Sequence, residues 1–239
     1  MKKNLNIVLV HGAFGDSSLW RYVIPTLVSK GYTVRAVQLP LTSLNDDVKR
    51  TGDLVDWLNG PTLLVGHCYG GMVITGAGNN ANVVGLVYIS AFAPDYGETF
   101  GGLLQLLGVP AGASSIKPDP QGFLYVDYDN FHEAFCQDVS ADDSLVMAVS
   151  QKPIHATAFT DASGRPAWNE KPSWYQVSES DRMLQPETEA MFAHRIGAKQ
   201  ILRIDCSHVP MITYHKQICE LILDAAAEME EKHFHVRDS

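Results

Sequence analysis

Short apolar runs alternate with helically spaced apolar positions over the first ninety or so residues. Leu5 to Val10 reads as a strand, Ser17 to Lys30 as a helix closed by Gly31, and Thr33 to Val37 as a second strand. Asp16, Ser17 or Ser18 can cap the first helix. Asn45 can cap the next, whose apolar positions Val48, Leu54, Val55 and Leu58 run to Gly60. Thr62 to Val65 and Val83 to Ile89 supply two more strands, and the glycine-rich stretch Tyr69 to Gly78 between them reads as a helix able to pack closely. Strands separated by helices predict a parallel sheet, hence an α/β fold.

From Pro94 to about Lys171 this rhythm stops, because glycines, prolines and aromatics are scattered without alternation. Residues 95–171 are therefore read as an inserted, mainly helical cap, and residues 1–94 and 172–239 as the core. Within the insertion, Phe100 to Leu107, Asn130 to Asp138 and Ala141 to Gln151 are predicted as short helices, and Pro110 to Asp119 as a loop. Strand rhythm resumes at Trp174 to Val177. A helix follows from Pro186 to Ile196, with proline in its first turn and Gly197 just past its end. A last strand, Gln200 to Ile204, precedes a closing helix from His215 to about Lys232, and Phe234 to Ser239 form a polar tail. One domain with an insertion accounts for the chain.

Charge and cysteine usage narrow the classes. Eighteen basic against twenty-seven acidic residues leave a net charge of −9, with no Lys/Arg cluster to follow a phosphate backbone, so no nucleic acid is expected as partner. The apolar run after Met1-Lys2-Lys3-Asn4 is only Ile7 to Val10 before His11-Gly12 breaks it. That is too short for a secretory leader or a membrane span, so no membrane is expected. Four cysteines, at 68, 136, 206 and 219, have no C-x-x-C spacing and imply neither a metal site nor a disulfide framework. A reducing cytoplasm fits them. Cys206 lies two residues before His208 but lacks further ligands, and packing is its expected role.

The chemistry concentrates in Leu63-Leu64-Val65-Gly66-His67-Cys68-Tyr69-Gly70-Gly71, an apolar strand running into a glycine-flanked turn and then a helix. This is the spacing of a nucleophile elbow, in which small residues two before and two after the central one permit a tight strand-to-helix reversal. The helix aims unpaired N–H groups and its positive dipole end at Cys68, which favours the attacking thiolate. A base and an acid are then needed at the ends of other strands, where catalytic groups of open α/β sheets collect. His208 follows the Gln200 strand, and Asp181 follows the Trp174 strand. The order nucleophile, acid, base along the chain completes a candidate triad of Cys68, Asp181 and His208. His132, His155, His194 and His215 compete for the base role, and Glu179 and Asp205 for the acid. For a developing oxyanion, the turn His11-Gly12-Ala13-Phe14-Gly15 offers the backbone N–H of Ala13, and the elbow offers that of Tyr69. His11 and His67 are read as structural.

These residues resemble a known family. Val10 to Phe14 with Trp20, Gly66 to Gly71, Tyr88 to Pro94, Ser180-Asp181-Arg182 and Ser207 to Met211 look like the α/β-hydrolase superfamily. More narrowly, they are similar to small bacterial esterases related to plant methylsalicylate esterases and hydroxynitrile lyases. The resemblance implies a mostly parallel central sheet with helices on both faces, a cap over the cleft, no cofactor and the same triad. In one respect the chain departs from it: most such relatives carry serine where Cys68 stands, whereas dienelactone-hydrolase-like members carry cysteine. Two readings stay open, a natural thioester enzyme or a Ser-to-Cys variant of a serine esterase.

The expected activity is acyl transfer on a small apolar or aromatic ester, thioester or lactone, with water as acceptor. Phe14, Phe92, Phe100, Leu103, Leu106, Phe131, Phe135 and Trp168 are the candidate substrate contacts, of which about half are expected to touch ligand. An acyltransferase with another acceptor, a hydroxynitrile-lyase-like enzyme and a non-catalytic small-molecule receptor are the alternatives. No metal is expected, and a homodimer is left open.

Overall fold

The structure, a computed structural model, describes residues 3–234. Met1, Lys2 and residues 235–239 lie outside the described residues, and with them most of the expected polar tail. In chain order the first half comprises β1 (Asn6–Val10), α1 (Ile24–Ser29), β2 (Thr33–Val37), α2 (Leu44–Leu58), β3 (Thr62–His67), α3 (Gly70–Ala77) and β4 (Val83–Ile89). There follow α4 (Phe100–Leu107), β5 (Ile116–Pro118), β6 (Phe123–Val126), α5 (Phe131–Phe135), α6 (Ala141–Ser150), β7 (Ile154–His155) and α7 (Thr157–Thr160). The chain closes with β8 (Ser173–Ser178), α8 (Pro186–Arg195), β9 (Ile201–Ile204), α9 (Pro210–Thr213) and α10 (His215–Phe234).

The central sheet has the order β2-β1-β3-β4-β8-β9, and every neighbouring pair is parallel. Every residue of β3 and β4 is buried, as continuous apolar strands of a covered parallel sheet should be. The alternation predicts this parallel sheet, and the arrangement is the α/β-hydrolase fold that the resemblance implies. The strand order reverses at β1, so the loops leaving the carboxyl ends of β1 and β3 diverge and open a crevice at the sheet edge. The turns after β4, β8 and β9 reach the same edge. On the sheet, α2 packs against α3 and α1 against α10.

Local chemistry sets several boundaries differently from the sequence reading. The expected helix Ser17 to Lys30 divides into a 3-10 turn, Ser17–Trp20, and α1. Asp16 caps the turn by accepting the Ser18 N–H at 2.7 Å. Pro25 sits in the first turn of α1, because a proline inside a continuous helix would lose a hydrogen bond and clash with the preceding turn. Helix α2 is capped by Ser43, whose Oγ accepts the Asp46 N–H at 3.0 Å, and not by Asn45, which lies inside it.

The segment between β4 and β8 holds α4 to α7 and also a small antiparallel sheet, β5-β6-β7. The expected loop Pro110 to Asp119 contains a 3-10 turn and β5. Strands of three, four and two residues are too short to show an alternation in sequence. The helix expected over Asn130 to Asp138 is confined to α5. Among the described residues no helix is long and apolar enough to cross a membrane, and no group of three or more His, Cys, Asp or Glu could hold a metal ion.

Candidate active site

Cys68 stands between β3 and α3 with φ +53°, a left-handed conformation that costs a non-glycine residue free energy. Close approach explains the glycines around it. A Cβ on Gly70 would lie 2.6 Å from the Val10 carbonyl oxygen and 2.7 Å from that of His11, and one on Gly66 would lie 2.6 Å from the Gly70 carbonyl oxygen. On Gly71 it would meet the Phe92 carbonyl oxygen at 2.1 Å, and on Gly12 it would meet the Cβ of Cys68 itself at 2.6 Å. The turn is pinned by its own amides: Cys68 N–H donates to the Ile89 carbonyl (3.2 Å), and the Cys68 carbonyl accepts from Gly71 (3.0 Å) and Phe92 (3.1 Å). The residue is 5% exposed.

The loops after β8 and β9 bring Asp181 and His208 to this turn. His208 Nδ1 and Asp181 Oδ2 are 2.5 Å apart, with both side chains completely buried. The second carboxylate oxygen, Oδ1, accepts the Met183 and Leu184 amides at 2.7 and 2.9 Å, which fixes the acid in its own turn. His208 Nε2 is buried without a partner in hydrogen-bonding geometry, but the Cys68 sulfur is close enough to act on the ring. Burial opposes charging of His208; the Asp181 carboxylate, then Cys68, outweigh it and raise its pKa to about 10. Both loops are tied to the segment between β4 and β8. Asp138 Oδ2 accepts the Ser207 N–H at 3.0 Å and the Thr213 hydroxyl at 3.2 Å, and Gln137 Nε2 donates to the Ser180 carbonyl at 2.6 Å.

The competing residues are engaged elsewhere. Exposed Glu179 pairs with Arg203, and Asp205 accepts the Ser180 hydroxyl at 2.6 Å. His132 bonds the Val139 carbonyl, His155 bonds Thr157, His215 bonds the Ile212 carbonyl, and His194 is exposed. The Cys206 thiol is buried beside Ser178, and burial pushes it up to about 12, so it packs and does not react. All four cysteines are unpaired.

Ala13 lies in the loop after β1 and Tyr69 in the elbow, and among the described residues the backbone amide of neither donates within the chain. Two neutral imidazoles brace this corner. His11 Nε2 accepts the Leu39 N–H at 3.1 Å, so its Nδ1–H donates to the Gly12 carbonyl at 2.8 Å; burial lowers its pKa to about 4. His67 Nε2 donates to the His208 carbonyl at 2.7 Å, and burial, then the neighbouring His208, hold it well below the usual range.

Aromatic rings flank the turn on two sides. Phe135 stands edge-on to His208 with centroids 5.1 Å apart, backed by Phe131 at 5.0 Å and Phe14 at 6.5 Å. Phe100 abuts Tyr69 at 6.0 Å and Phe92 at 4.4 Å, with Leu103 buried on the same helix. Leu106 is not part of this lining: it is 75% exposed, because the register of α4 turns Leu103 and Leu107 inward. Nor is Trp168. Its Nε1 donates to the Pro94 carbonyl at 2.9 Å, and adjacent Ala167 packs on Gly78, roughly 15 Å along α3 from the elbow by helix rise.

Two buried acids escape the sequence reading. Asp47 on α2 accepts the Leu41 N–H and the Tyr69 hydroxyl, both at 2.8 Å, and burial raises its pKa to about 6. Glu189 on α8 accepts the Ser178 N–H at 2.9 Å. Both signals were present: Asp47 shares the face of Leu44, Thr51 and Val55, and Glu189 that of Phe192, Ala193 and Ile196. An acid on the apolar stripe of a helix marks a buried carboxyl.

A profile described as the alpha/beta hydrolase family matches residues 7–221. A probable hydrolase, R7, of Phoma sp. is 23% identical, spanning 92% of this chain and 97% of its own. A carbendazim hydrolyzing esterase of Nocardioides sp. is 32% identical over 41% of this chain and 47% of its own. Among solved structures, a pyrethroid hydrolase from Sphingobium faniae superposes with a TM-score of 0.79 at 20% identity, covering 93% of this chain and 98% of that one.

Proposed function

The chain belongs to the alpha/beta hydrolase family, and from that premise we propose that it hydrolyses small apolar or aromatic carboxylic esters through an acyl-enzyme on Cys68. Cys68 Sγ attacks the ester carbonyl carbon. The amides of Ala13 and Tyr69 hold the resulting oxyanion. His208 Nε2–H protonates the departing alkoxide as the C–O bond breaks, leaving a thioester. His208, then neutral, takes a proton from water as the remaining hydroxide attacks the thioester, which releases the acid and restores the Cys68 thiolate beside the protonated imidazole. Asp181 fixes the imidazole tautomer throughout. Residues 95–171 act as the cap that closes the acyl site, and within the family the chain groups with small esterases related to methylsalicylate esterases and hydroxynitrile lyases.

The observation that carries this reading is the strained Cys68 turn lying against a completely buried His208–Asp181 pair. Relatives named as a hydrolase and an esterase support an ester-type substrate. The aromatic groups on both sides of the elbow support an apolar acyl portion. The test is turnover of p-nitrophenyl esters by the full chain, by Cys68→Ala and by His208→Ala, with intact-mass spectrometry of the acyl adduct. Turnover lost in both variants and an adduct confined to Cys68 are expected. Undiminished turnover in both sinks the assignment, and turnover without an adduct points to lyase-type chemistry.

A further inference from the structure

Behind the acid of the triad lies a second carboxyl group that the reaction does not touch. Glu189 is completely buried. Its Oε2 accepts the Ser178 N–H at 2.9 Å, while its Oε1 has no partner among the described residues. The same carboxyl lies within hydrogen-bonding reach of the Asp181 carboxyl. Two carboxylates at this depth do not both hold a charge, because burial penalises each ionised group and their mutual repulsion raises the cost of the second. The groups around the pair decide which of them keeps the proton. Asp181 faces His208 and accepts two backbone amides. Glu189 accepts one amide, and its other neighbours, the Tyr175 hydroxyl, the Cys206 thiol and Cys68, offer it no positive charge. Burial, then the Asp181 charge, push Glu189 well above the usual carboxylate range.

We propose that Glu189 is a positioning residue for the triad: as a neutral acid anchored by the Ser178 amide, it donates its Oε1–H to the Asp181 carboxylate and holds that group toward His208. The inference rests on the triad reading given above. The donated hydrogen bond also spreads the Asp181 charge, so the proton between acid and imidazole stays on Nδ1 of His208. Glu189 would act on the reaction only through Asp181, by keeping its Oδ2 in line with the ring.

Two variants of the full-length protein separate this from a packing role. Glu189→Gln keeps an acceptor for Ser178 and an N–H donor for Asp181, whereas Glu189→Met keeps the volume and removes both. With a p-nitrophenyl ester, kcat of Glu189→Gln is expected within about threefold of wild type, and that of Glu189→Met lowered by about tenfold to a hundredfold with KM unchanged. The downfield proton NMR signal of His208 Nδ1–H is expected to persist in the first variant and to be lost in the second. Wild-type kcat with an unchanged signal in Glu189→Met overturns the proposal, and so does a Glu189→Gln protein as impaired as Glu189→Met. Should the methionine variant fail to fold, Glu189→Asp, which withdraws the acid from Asp181, takes its place in the same contrast. A wild-type protein without esterase turnover would refute the proposed function alone, since the NMR contrast still reads Glu189 through His208.

Discussion

A single methyl group added at Gly70 should separate the two halves of the proposed oxyanion site. The new Cβ would lie 2.6 Å from the Val10 carbonyl oxygen and 2.7 Å from that of His11, where ordinary contact begins at 3.4 Å. Relief therefore takes a displacement of about 0.8 Å. Both offending atoms are backbone, so no side-chain rotation can supply it. The loop after β1, which carries Ala13, and the elbow, which carries Cys68 and Tyr69, must move apart. A misplacement of about 1 Å in a reacting constellation costs on the order of a hundredfold in rate, and overpacking of a tight contact costs about 1–3 kcal/mol of stability. For Gly70→Ala we expect kcat/KM on a p-nitrophenyl ester to fall by roughly 30- to 100-fold, with the urea midpoint lowered. Gly52→Ala is the control: it lies within α2 with nothing within 4 Å of its Cβ. It should leave kcat/KM unchanged and raise stability by about 0.5–1 kcal/mol through helix propensity. A Gly70→Ala enzyme with wild-type kinetics and stability would refute the claim that this glycine is required by close approach.

Three further outcomes are expected. Asp181→Asn keeps the shape of the acid but removes the charge facing His208, a buried charge-assisted bond worth about 1.5–3 kcal/mol, so kcat should drop by roughly 10- to 150-fold in steady-state assays. Cys68→Gly relieves the left-handed strain at φ +53° and should raise the unfolding free energy by about 1 kcal/mol in urea titrations while abolishing the acyl adduct. His208 holds its proton up to about pH 10 when folded, against an ordinary 6.5. That stabilisation is full below pH 6.5 and disappears as pH rises through about 10, so the stability gap between wild type and His208→Gln should narrow over this window. A gap independent of pH would contradict the raised value.

Much of this arrangement was legible in the sequence because each part is signalled locally. The elbow is announced by glycines that the close contacts at Gly66, Gly70 and Gly71 require, and β3 and β4 by unbroken apolar runs. Asp181 and His208 could be picked out because a parallel sheet gathers the residues that follow its strands. Less was legible where structure depends on distant partners. The small sheet β5-β6-β7 is made of pairings whose individual strands are too short to show a period. Leu106 and Leu103 differ only in the rotational register of an eight-residue helix, which its packing against Phe159 and Tyr69 decides. The ring of Trp168 by itself points to the cleft, whereas its indole serves a carbonyl at the far end of α3. Glu189 and Asp47 are hard to single out because acids on helices ordinarily face water.

The two hydrogen bonds that Asp138 accepts, beside the one that Gln137 donates, bear on how such a protein could be re-engineered. Residues 137 and 138 serve as a strut between the segment that joins β4 to β8 and the loops that carry Asp181 and His208. Replacing the segment between β4 and β8 with that of a relative would remove that strut along with the rest of the segment. Chimeras should therefore retain Gln137 and Asp138, or supply an equivalent amide and carboxylate, for the imidazole to stay aligned.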